Sequence, residues 1–147
     1  MTRHLTRGVA AVGAVLLASA CSGSPEVSLA PLADAPTCTS ISWPADVSGL
    51  APVETSPDDP SVAAWGDPAI IARCGLRAPA PTADSCVEVD GVDWVVRELS
   101  DGSAAVTYGR EPALEVLVPD AHGPAPLLLP AFGPAARSLP ETGRRCT

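Results

Sequence analysis

The Asp90-Gly91 pair sits between two alternating runs, Cys86-Val87-Glu88-Val89 and Val92-Asp93-Trp94-Val95-Val96. A two-residue loop of this type closes an antiparallel hairpin, because a type I′ turn needs positive φ at both central positions. Loop length then sets the register: Val89 faces Val92, Glu88 faces Asp93 and Val87 faces Trp94. Alternation puts Val87, Val89, Val92, Trp94 and Val96 on one face, which must be the core. The neighbouring segments extend the pattern. Ser103 to Tyr108 reads as a strand after the turn Ser100-Asp101-Gly102, and Leu114 to Val118 as another, closed by Pro119. Ahead of the hairpin, Ala69 to Cys74 reads as a strand entered from Pro68, followed by a loop from Gly75 to Ser85. Short helical turns are expected at Thr37–Ser42, with Thr37 as cap, and at Ala45–Leu50. Pro52–Pro60 reads as a loop. A C-terminal helix over Pro124–Leu139 is interrupted by Pro130, Gly133 and Pro134. The expected class is α+β: a small antiparallel sheet with short helices packed on one face, stapled by disulfides.

The N-terminus carries a different message. Arg3 and Arg7 precede an uncharged run from Gly8 to Ala20 that ends Leu16-Leu17-Ala18-Ser19-Ala20-Cys21. A basic head, a short apolar middle and small residues before a break make an export signal. The run is too short for the roughly 20 residues of a membrane-spanning helix. The small residues before Cys21 resemble a bacterial lipobox, although Ala18 stands where that motif has leucine. The resemblance implies cleavage after Ala20 and lipidation of Cys21, which ties the protein to the outer face of the cytoplasmic membrane. Plain cleavage, with Cys21 left as a free thiol, is the alternative. The domain reading is therefore a signal over 1–20, a flexible tether over 21–36 and a single domain over 37–147.

Beyond Cys21 four cysteines remain, and an oxidising compartment would pair them. Cys74 with Cys86 and Cys38 with Cys146 is the expected pattern, the first flanking a proline-rich loop and the second joining the chain ends. No C-x-x-C spacing occurs, and His122 in a Gly/Pro loop is the one histidine after the signal, so no metal site is expected. All seventeen acidic residues follow Cys21, against seven arginines once Arg3 and Arg7 are set aside, a net charge of −10. Nucleic acid is not an expected partner of such a surface. The same charge means that the lipid, rather than the protein face, must hold the domain at an anionic membrane.

No nucleophile elbow, phosphate loop, dinucleotide fingerprint or zinc-protease motif occurs, and no cofactor is expected. Leu139-Pro140-Glu141-Thr142-Gly143 spells a sortase pentapeptide, but the chain ends four residues later without the apolar span that such a signal needs. Glu88 and Asp93, opposite one another across the hairpin, are the one candidate carboxylate pair. Like charges there cost ~0.2–1 kcal/mol unless offset. An arginine such as Arg73, Arg97 or Arg110 would offset them, as would a bound cation or a raised carboxyl pKa serving proton transfer. A second feature is an internal echo. Trp65-Gly66-Asp67-Pro68-Ala69-Ile70 resembles Tyr108-Gly109-Arg110-Glu111-Pro112-Ala113-Leu114. Both segments use proline to enter a strand; if the two corners also lie side by side, Trp65 and Tyr108 form one binding surface with Arg110 as its polar anchor.

These same runs, with Arg73-Cys74-Gly75, Gly91-Val92-Asp93-Trp94 and the closing Arg145-Cys146, resemble an actinobacterial lipoprotein family known only as a domain of unknown function (DUF3515). The resemblance covers essentially the whole exported chain. It implies an actinobacterial envelope protein and carries no assigned activity. Two functional readings follow from the residues. One is a lipid-anchored, non-enzymatic module that docks onto an envelope protein or wall precursor; the other is a small hydrolase or transferase using Glu88 and Asp93.

Overall fold

The computed structural model describes residues 23–147. The export segment and Cys21 lie outside the described residues. The chain order is α1 (Pro36–Thr39), β1 (Pro52–Val53), β2 (Val62–Trp65), β3 (Ile70–Leu76), β4 (Ser85–Val89), β5 (Val92–Glu98), β6 (Gly102–Thr107) and β7 (Ala113–Pro119). Three 3-10 turns then lead to α2 (Gly133–Arg137). The seven strands make one open sheet in the order β1-β2-β3-β7-β6-β5-β4. Every neighbouring pair is antiparallel. Two meanders, β1 to β3 and β4 to β7, are thus sewn together along a single seam, β3 against β7.

The hairpin register is the expected one, with Val89 opposite Val92, Glu88 opposite Asp93 and Val87 opposite Trp94. Both turn residues, Asp90 (φ 50°) and Gly91 (φ 77°), take the positive φ that the type I′ loop demands. Val92, Trp94 and Val96 are core residues, and Val87 and Val89 pack against them. Ala105, Val116, Leu114, Ala72 and Cys74 continue the same face across β6, β7 and β3. Leu128, Leu129, Phe132, Ala135, Ala136 and Leu139 from the C-terminal turns join this cluster. The C-terminal stretch is broken, as its prolines require, into short 3-10 turns and the five-residue α2. The first helical turn starts at Pro36 without a side-chain cap, so Thr37 does not cap it. Ala45–Leu50 is a turn closed by the Val47–Leu50 bridge rather than a helix.

Two further expectations need correction. The disulfides are Cys38–Cys74 and Cys86–Cys146, not Cys74–Cys86 and Cys38–Cys146. Strands β3 and β4 are four strand spacings apart, roughly 19 Å at ~4.8 Å each. A disulfide tolerates a Cα separation of only ~4.4–6.8 Å. The two cysteines also face opposite sides of the sheet. Cys74 stands opposite Leu114 on the core face, and Cys86 opposite Val95 on the outer face. The tether reading also ends too late. Val27, Ala30 and Ala33 are buried, Glu26 bridges Ser56, and the Leu32 N–H donates to the Gly75 carbonyl over 2.8 Å. Gly75 is where this segment crosses β3. Its φ is +114°, and a Cβ there would lie 2.5 Å from the Ala33 nitrogen.

Candidate functional site

The two aromatic-glycine corners share a local conformation, with Gly66 at φ +74° and Gly109 at φ +77°. They do not share a surface. Each corner leads directly into β3 or β7, and those strands pair antiparallel, so the corners lie at opposite ends of the sheet. Trp65 is 1 % exposed and packs edge-on against Phe132 at 5.4 Å and Trp43 at 6.2 Å. Its indole N–H donates to the Pro44 carbonyl (3.1 Å). Trp65 is a core residue. Arg110 is buried as well, donating to the Leu139 carbonyl at 2.6 Å and pairing with Glu141 at 3.0 Å. It secures the C-terminal segment and has no reach toward a ligand of Trp65. Only Tyr108 is half-exposed, in a polar recess of about 320 Å³ that Asp84 and Arg145 also line.

Glu88 and Asp93 do face each other across the hairpin, but each carboxylate already accepts from a backbone N–H. Glu88 accepts from the Gly91 N–H at 3.0 Å and steadies the turn. Asp93, 6 % exposed, accepts from the Cys146 N–H at 3.0 Å. None of the arginines offered as a partner pairs with either of them. Arg73 pairs with Glu115, Arg97 with Asp84 and Arg110 with Glu141. Among the described residues no three His, Cys, Asp or Glu side chains come together as a metal site. Asp84 is held below the usual carboxylate range by the Arg97 hydrogen bond, with help from Thr82. The His122 ring bonds the Pro68 carbonyl at 2.6 Å. The sortase-like pentapeptide is folded in, with Leu139 in the core and the Thr142 N–H bonded to the Gly109 carbonyl at 2.8 Å.

What the structure offers instead is the outer face of the sheet. The 77–84 connection leaves β3 and recrosses this face to reach β4, roofing a cavity of about 220 Å³ floored by Val95, Ala104 and Val106. Beyond that roof, at the end of the sheet where β6 starts and β7 stops, lies a larger groove of about 540 Å³. Ile71 and Leu117 form its half-buried floor; Leu99, Pro68 and Pro119 form its walls. An adjoining recess, sharing Ala69 with this groove, is lined by Gly23, Ser24 and Pro25. The groove therefore sits at the end where the chain leaves toward Cys21. Sequence reasoning passed over it because the eye follows the core phase. The off-phase apolar residues were the available signal: Ile71 directly after Ile70, Leu117 between Val116 and Val118, and Leu99 in a polar turn.

No helix of the described residues is long and apolar enough to cross a membrane. No curated protein and no solved structure matches the chain. Residues 5–135 match the family described as protein of unknown function (DUF3515). That span takes in the hairpin, the β3–β7 seam and the groove, and the chain belongs to that family.

Proposed function

We propose that this is a lipid-anchored protein of the cell envelope whose work is binding, not catalysis, and that the outer-face groove at the anchored end is its docking site. One observation carries the reading: Leu99, 48 % exposed, stands over the half-buried Ile71 and Leu117 within two recesses' reach of Gly23. In this reading the short helices cover the opposite face, and the outer face is open to a partner at the groove, beyond the 77–84 roof. A partner in the same membrane suits a tether, because confinement raises its effective concentration. The alternative, a carboxylate-based enzyme, loses its motive once Glu88 and Asp93 are engaged with backbone donors.

Two measurements test the proposal. The native protein should partition with the membrane fraction into detergent, and Cys21→Ala should release or stall it; equal retention of that variant would remove the anchor. A photo-crosslinking residue at position 99 should capture a defined neighbour in intact cells. The same residue at Leu127, 74 % exposed on the C-terminal turns, should not. Capture at 127 and not at 99 would move the docking site off the groove.

A further inference from the structure

The groove has a charge signature that names its occupant more closely, and the inference rests on the docking reading above. The charged residues lining it are Asp101 and Asp120. The Asp120 N–H donates to the Asp101 carbonyl (3.1 Å), so the two turns carrying these carboxylates are fastened side by side. Both residues are exposed.

Four carboxylates elsewhere on this domain are answered by arginine. Glu115, Glu111, Asp84 and Glu141 each have an arginine within ion-pair distance. Arg137 and Arg144 are spent on the carbonyls of Asp90 and Pro79, and the chain contains no lysine. Asp101 and Asp120 take part in no ion pair or side-chain hydrogen bond among the described residues. Two unanswered carboxylates thus rim an apolar floor that is itself uncovered.

We propose that the groove receives a cationic peptide segment, an apolar side chain seated on Ile71 and Leu117 with lysine or arginine on either side. A cationic ligand gains Coulomb attraction here without breaking an existing pair. An anionic lipid surface or a polyanion is repelled by the same rim. The position beside Gly23 makes the natural source a basic segment of another envelope protein held at the same membrane surface.

Three fluorescein-labelled peptides test this against the purified protein. Each has two leucines flanked on both sides by a pair of lysines, serines or glutamates. The lysine peptide should bind about tenfold tighter than the serine peptide in low salt, the size expected of a few exposed charge contacts. The glutamate peptide should not bind. Added salt should erase most of the preference. Asp101→Asn with Asp120→Asn should bring the lysine peptide to the level of the serine peptide, and Leu99→Ser should weaken both; all three positions are exposed, and circular dichroism should show the fold intact. If serine and lysine peptides bind equally, and Leu99→Ser weakens both, the groove stands as a docking site and its cationic preference is refuted. If the lysine peptide does not bind, or binds unchanged after all three substitutions, the groove is not its site and both readings fall.

Discussion

Arg110 shows how a surface-looking residue becomes structural. Its guanidinium bonds the Leu139 carbonyl, the Arg137 carbonyl and the Glu141 carboxylate, so the polypeptide after α2 is held against the corner that follows β6. Truncating it would strand buried acceptors and one carboxylate. Arg110→Met should therefore destabilise by roughly 3 kcal/mol, read as a lowered urea midpoint, while Arg145→Met, exposed, should fall within about 0.5 kcal/mol of wild type. A second prediction concerns acid. The Ser61 hydroxyl, and then its N–H, hold Asp59 below the usual carboxylate range. A depressed folded-state pKa gives stability that is present above the unfolded value and is lost as pH falls through the folded one. Ser61→Ala should raise the Asp59 titration midpoint toward 3.8 and shrink the acid-induced loss of stability below that pH. An unchanged midpoint by NMR would show that the hydroxyl contributes nothing. At this scale the sequence was a poor guide. Trp65 and Arg110 look like interface residues by type, and only their partners, Pro44 and Leu139, show otherwise.

Among the elements, the register of the β4–β5 hairpin was legible to the residue, because two-residue turn chemistry and alternation are both local. Strands β3, β6 and β7 were legible to within about two residues for the same reason. Strands β1 and β2 were missed: Pro52-Val53 falls inside the stretch read as a loop, Val62-Ala63-Ala64-Trp65 follows it, and their strand character comes from pairing, β1 with β2 and β2 with β3. The disulfide pattern was not legible, since it depends on the seam joining β3 to β7, a contact between residues some forty positions apart. A non-reducing peptide map should recover Cys38–Cys74 and Cys86–Cys146; a Cys74–Cys86 peptide would contradict the strand order itself. Each bond closes a loop large enough to be worth ~4 kcal/mol in the chain-entropy account. Cys86→Ser with Cys146→Ser should cost about that much. Gly109 gives the C-terminal strap its path, since a Cβ there would stand 2.1 Å from the Arg144 carbonyl oxygen.

Taken whole, the molecule is two contiguous halves, each closed by its own disulfide. Cys38–Cys74 lies on the core face within the first meander and the segment leading to it. Cys86–Cys146 lies on the outer face within the second meander and its tail. The antiparallel sheet was legible in the sequence; the groove belongs to this scale, and it became visible only when strand order put Leu99, Ile71 and Leu117 together. Among the four cysteines after Cys21, the pairing of first with second and third with fourth has a consequence for biogenesis. A chain made or threaded from its N-terminus presents Cys38 and Cys74 to an oxidase before Cys86 has appeared. With Cys21 taken up by the lipid, as proposed, every bond formed in order of arrival is already native, and the protein then needs a donor of disulfides but no isomerase to reshuffle them.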